Sequence, residues 1–90
     1  MRFLVIGRTE EFFYALPPEV RKQIVDEQNL FLKKCSEEGK LIAAWNLVGK
    51  KKTVSIWEVS TAEEGEQLFK EFPGCHYLYF KLYPITEMKF

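Results

Sequence analysis

The chain has 90 residues, 47% of them hydrophobic and 16% aromatic, which suits one ordered domain and excludes a disordered tail. Thirteen basic residues balance thirteen acidic ones, so the formal net charge is zero and no long-range field draws the chain to nucleic acid or an anionic membrane. The apolar run Phe3 to Ile6 is too short for a signal-peptide core or a membrane span.

Arg2 to Gly7 is a β-rich run, and Arg8 to Leu16 connects it to Pro17-Pro18, which suits a helix start. A long helix is predicted to run to about Glu38, with Gly39 after it and Lys33, Lys34 and Lys40 near the negative end of its dipole. Leu41 to Val48 reads as a second strand. Gly49-Lys50-Lys51-Lys52 makes the turn, and Thr53 to Val59 returns as a third. Thr61-Ala62-Glu63-Glu64 is a capping box for a second helix, which stops at Pro73-Gly74. Cys75 to Tyr83 is a fourth strand.

The order βαββαβ predicts an α+β, ferredoxin-like domain over residues 1–90, with a four-stranded antiparallel sheet and two helices on one face. Both faces of the strands are apolar or aromatic. In the last strand one face reads His76, Leu78, Phe80, Leu82 and the other Tyr77, Tyr79, Lys81, Tyr83. A half-exposed antiparallel strand alternates apolar with polar, and two helices cover only one face. A second copy of the sheet is the simplest cover, so a homodimer packed as a dimeric α+β barrel is expected.

In the long helix Val20, Ile24, Phe31 and Cys35 form one stripe at about 100° per residue. Glu27 falls within it, so its carboxylate is expected to point toward the sheet and to serve as a general acid or base. The competing reading has it snorkel to the edge or pair with Lys34. His76, the only histidine, is either a second proton carrier or a packed strand-end residue. Neither it nor the two cysteines, Cys35 and Cys75, stands at metal-ligand spacing, so no metal is expected. Reduced thiols and a cytoplasmic location are expected.

Trp45 and Trp57 on neighbouring strands, with Tyr77 and Tyr79, either line an apolar ligand pocket or pack in the core or the dimer interface. Phe12-Phe13-Tyr14, in the first connection, either plugs the barrel end or acts as a lid. The Lys50-Lys51-Lys52 run reads as a solvated turn. There is no phosphate-binding loop, dinucleotide fingerprint or nucleophile elbow, and Ser55 and Ser60 have no partner visible in the sequence.

Several of these residues, taken in order, carry a family resemblance. They are Asp26-Glu27 in the long helix, Glu38-Gly39 at its end, Trp45 with Gly49 four residues later, Ser55-Ile56-Trp57-Glu58-Val59, and Phe72-Pro73. In these the chain resembles the muconolactone delta-isomerase family nearly end to end. The resemblance implies a ferredoxin-like subunit, a dimer or a larger assembly of dimers, and double-bond migration by proton transfer without metal or cofactor. Glu27 matches the family's helix glutamate, and His76, Phe31, Trp45, Trp57 and Tyr14 complete the expected site.

Three features depart from the family pattern, the first being that Leu41 to Ala44 are apolar where the enzymes carry basic or His residues before the Trp. Asn46 stands where the enzymes carry Arg after the Trp, and Ile85-Thr86-Glu87 where they carry Arg-His-Pro. A small apolar or weakly polar ligand is therefore expected. The alternative is a non-catalytic ligand-binding or assembly protein. A raised pKa at Glu27 together with an open pocket favours the enzyme; Glu27 held in an ion pair with the cavity filled by Phe12-Phe13-Tyr14 favours the alternative.

Overall fold

The computed structural model describes Met1–Phe90. Arg2–Thr9 forms strand β1, Pro18–Glu37 helix α1, Leu41–Asn46 β2, Lys52–Glu58 β3, Ala62–Lys70 helix α2 and Leu78–Ile85 β4. The sheet is antiparallel throughout, in the order β2-β3-β1-β4. This is the ferredoxin-like α+β arrangement expected from the element order, with both helices on one face.

Local chemistry accounts for most boundaries. Pro18 opens α1, and Gly39, at φ 77°, ends its last turn in the left-handed region. At α2 the Thr61 hydroxyl accepts from the Glu64 N–H at 3.1 Å, while the Glu64 carboxylate accepts from the Ser60 N–H at 3.0 Å. That second bond reaches one residue further back than the usual reciprocal cap.

Two segments depart from the expected layout. The connection after β1 contains a 3-10 turn over Glu11–Ala15, and a second covers Cys75–Tyr77, so β4 starts three residues later than predicted. Gly74 at φ 70° turns the chain there, and the Tyr77 N–H donates to the Gly74 carbonyl at 2.9 Å. Ladder pairing begins only at Leu78, opposite Thr9. Pro84 is tolerated because β4 is an edge strand.

The core lies between the sheet and the helices and joins Phe3, Val5, Trp57 and Val59 to Cys35, Leu68, Phe69 and Phe72. Its aromatic rings meet in tilted and edge-on contacts, with Trp57 and Phe69 centroids 5.0 Å apart and Phe31 and Phe72 5.2 Å apart. Only 12 of 90 residues are buried, because the other sheet face has no cover. On that face Ala43, Ile56, Leu4 and Tyr83 make one cross-strand row, and Trp45, Val54, Ile6 and Lys81 the next. No helix is long and apolar enough to cross a membrane.

Candidate ligand cleft

The helix-facing side of the sheet is graded in side-chain size. Leu41, Trp57 and Phe3 fill one row; the next holds Ala44, Ser55 and Val5, and the next Asn46, Thr53 and Gly7. Large rings support the helices at one end, and small groups leave them unsupported at the other. A cleft of about 500 Å³ opens there, within the range of small-molecule sites.

Gly7 keeps the floor low. A Cβ at this position would lie 3.0 Å from the Thr53 hydroxyl and 3.2 Å from the Phe80 ring. Gln28, Asn29 and Leu32 of α1 form one wall, and Phe69 and Phe72 line the cleft as well. Gln28 is held in place by donating its amide N–H to the Pro73 carbonyl at 3.0 Å.

Of the residues singled out from sequence, Trp57 and Tyr14 line the cleft directly. Trp45 touches it from edge strand β2, although its register partner Val54 belongs to the open sheet face. Phe31 is not on the wall; it packs behind it against Phe72. The aromatic triplet divides its work: Phe13 is buried against Tyr77 at 5.9 Å, while Tyr14 stands at the cleft rim.

Glu27 does not face the sheet. It is exposed, and its carboxylate accepts from the Gln23 amide at 3.4 Å. The buried side of α1 runs through Ile24, Gln28, Phe31, Leu32 and Cys35, and Glu27 lies roughly 80° around the helix from its centre. The stripe drawn through Val20 was rotated, since Val20 itself is 38% exposed. His76 is exposed in the second 3-10 turn, outside the cleft. No group of three or more His, Cys, Asp or Glu side chains gathers at a metal-binding spacing.

Several cleft residues were not recognised from sequence. Ser55 is buried on the floor, and its Oγ accepts from the Trp57 indole N–H at 2.8 Å. Their spacing of two on a strand carried that signal, because alternate residues share a face. Lys50 and Lys51 lie in the exposed turn and Lys52 opens β3, and all three border the cleft, as does Arg8. Arg8 lies over the Tyr79 ring at 5.0 Å and pairs with Glu10 at 3.8 Å. The mouth is therefore cationic and the floor largely apolar. Away from the cleft, burial raises the Cys35 thiol pKa above its ordinary value, with the Glu38 charge adding to the effect.

Fold and cleft together define a ferredoxin-like α+β subunit carrying a small-molecule-sized site beside the β2–β3 turn. The chain belongs to the muconolactone delta-isomerase family, whose model matches residues 1–89. A muconolactone delta-isomerase of Rhodococcus opacus is 25% identical over 72 residues, covering 80% of this chain and 77% of that protein. The 3.3 Å crystal structure of muconolactone isomerase superposes with a TM-score of 0.81 at 18% identity, over 98% of this chain and 91% of that chain, and so shares its fold.

Proposed function

We propose that this protein is a cofactor-independent isomerase that moves a double bond within a small cyclic or unsaturated compound by proton transfer, in the cytoplasm. The open cleft carries this reading. It is large enough for such a compound and is not filled by the aromatic triplet. Family membership supports the reaction class. Glu27 is the proposed acid/base, supported by its match to the family's helix glutamate and by a carboxylate bonded to neutral Gln23 with no cation paired to it. His76 is the proposed second proton carrier.

The ligand suited to this cleft has an apolar body and an electron-rich end. Trp57, Phe69 and Phe80 suit the body, and Arg8 with Lys50 to Lys52 suits a carbonyl or carboxylate at the mouth. A homodimer through the open sheet face is part of the proposal, supported by the two uncovered apolar rows across all four strands.

A second reading, a binding protein without turnover, is favoured by one observation: neither Glu27 nor His76 lines the cleft. Turnover of muconolactone and a panel of unsaturated lactones and enones, followed by ultraviolet absorbance, separates the two. The enzyme reading expects activity in the wild type and its collapse, by about a hundredfold or more, in Glu27→Gln. Activity unchanged in that variant would remove Glu27 from the mechanism. An inactive wild type across the panel would favour the binding protein.

A further inference from the structure

We infer that Ser55 is a carbonyl anchor: its hydroxyl donates a hydrogen bond to the acceptor oxygen of a small carbonyl-bearing ligand, and Trp57 holds it in position to do so. The inference rests on the cleft being the ligand site and adds to that reading a specificity-determining residue and the ligand group it recognises.

A serine hydroxyl has one proton to donate and two lone pairs to accept with. The Trp57 indole N–H, 2.8 Å away, takes one lone pair, and no protein acceptor pairs with the Ser55 proton. Ser55 is only 9% exposed and lines the cleft, so the cleft is the one direction from which an acceptor can reach its proton. A buried donor without an acceptor is costly, and an acceptor brought by a ligand relieves that cost.

The surroundings hold this donor in place and leave room for its partner. Trp57 is 2% exposed and meets the Phe69 ring edge-on at 5.0 Å, so its indole cannot turn away from Ser55. Ala44 stands opposite Ser55 on β2 with only a methyl group, which leaves space above the hydroxyl. Val5, also opposite, adds an apolar flank that strengthens a hydrogen bond made there.

A fixed neutral donor flanked by Val5, Ala44 and Trp57 matches a lactone, enone or ester carbonyl. In proton transfer beside a carbonyl, a fixed donor at the oxygen also stabilises the negative charge that develops on it.

The test compares binding of butenolide, an unsaturated five-membered lactone, with dihydrofuran, the same ring without the carbonyl. Trp57 fluorescence in a Trp45→Phe background reports affinity, and infrared difference spectra report the bound C=O stretch. The protein is expected to favour butenolide about five- to tenfold and to lower its carbonyl frequency. Ser55→Ala is expected to abolish both effects while still binding dihydrofuran, and Ser55→Thr, which keeps the hydroxyl, to retain them. Should Ser55→Ala fail to fold, Ser55→Cys keeps the shape with a much weaker donor and is expected to lose the frequency shift. Equal affinity for the two rings, or a carbonyl shift that persists in the Ala or Cys variant, overturns the inference. Binding requires no turnover, so failure of the isomerase reading leaves this result standing.

Discussion

The Lys51 ammonium lies 4.6 Å from the centroid of the Tyr14 ring. The two residues come from separate elements, the β2–β3 turn and the 3-10 turn before α1, and both border the cleft. Their contact spans the mouth, and cation–π pairs at such exposed positions contribute about 0.5–1 kcal/mol.

Breaking that contact is expected to widen access to the cleft without unfolding the protein. In a Trp45→Phe background, Lys51→Ala or Tyr14→Ala should raise acrylamide quenching of Trp57 roughly twofold, with stability falling by no more than about 1 kcal/mol. Unchanged quenching would show that the pair does not restrict entry.

Gly74 and Gly49 both adopt positive φ, yet substitution is expected to affect them differently. At Gly74 a Cβ would lie 2.5 Å from the Ile24 Cγ2, whereas at Gly49 nothing lies within 4 Å. Gly74→Ala is expected to cost about 2–4 kcal/mol, from backbone strain together with displacement of α1. Gly49→Ala is expected to cost only about 1 kcal/mol. Urea denaturation midpoints of the two variants check the difference.

Cys35 is expected to contribute to alkaline instability. Its folded thiol pKa is raised above the ordinary 9.0 by burial first and by Glu38 second, so folding favours the protonated form. That contribution is fully present below the unfolded value and is lost as pH rises through the higher folded value. Cys35→Ala is therefore expected to flatten the loss of stability as pH rises above the ordinary thiol value of 9.0 in urea titrations. At neutral pH Cys35 is also expected to react with a thiol reagent more slowly than partly exposed Cys75.

Ile6 tests the proposed dimer. It lies between Val54 and Lys81 on the open face, and Ile6→Lys would set a second ammonium beside the first. Light scattering is expected to give about twice the 10.7 kDa chain mass for the wild type and the single-chain mass for the variant. A wild-type mass of one chain would refute sheet-to-sheet pairing.

The element order, the capped start of α2 and the apolarity of both sheet faces were all legible in the amino-acid order. Each depends on contacts within a few residues: Thr61 with Glu64, Gly39 after α1, and alternation along β4. Trp57 and Tyr14 border the cleft, but the sequence left Trp57 open between pocket and core packing, and it takes part in both. Lys50 and Lys51 lie in the turn that the lysine run suggests, and Lys52 is already the first residue of β3.

Side-chain direction on α1 and the location of the cleft depended on tertiary structure. The stripe drawn through Val20 is centred roughly 35° around the helix from the side that is buried, through Gln28 and Leu32, and that rotation leaves Glu27 on the exposed side. The cleft arises where Ala44, Ser55 and Thr53 of the β2–β3 hairpin and Gly7 of distant β1 fall into adjacent register rows. No local pattern encodes that meeting. Local order thus determined which elements form and which of their faces are apolar, because those follow from backbone geometry and near-neighbour contacts. Strand register and helix rotation decided which side chains share the cavity, because both are set by packing between segments distant in sequence.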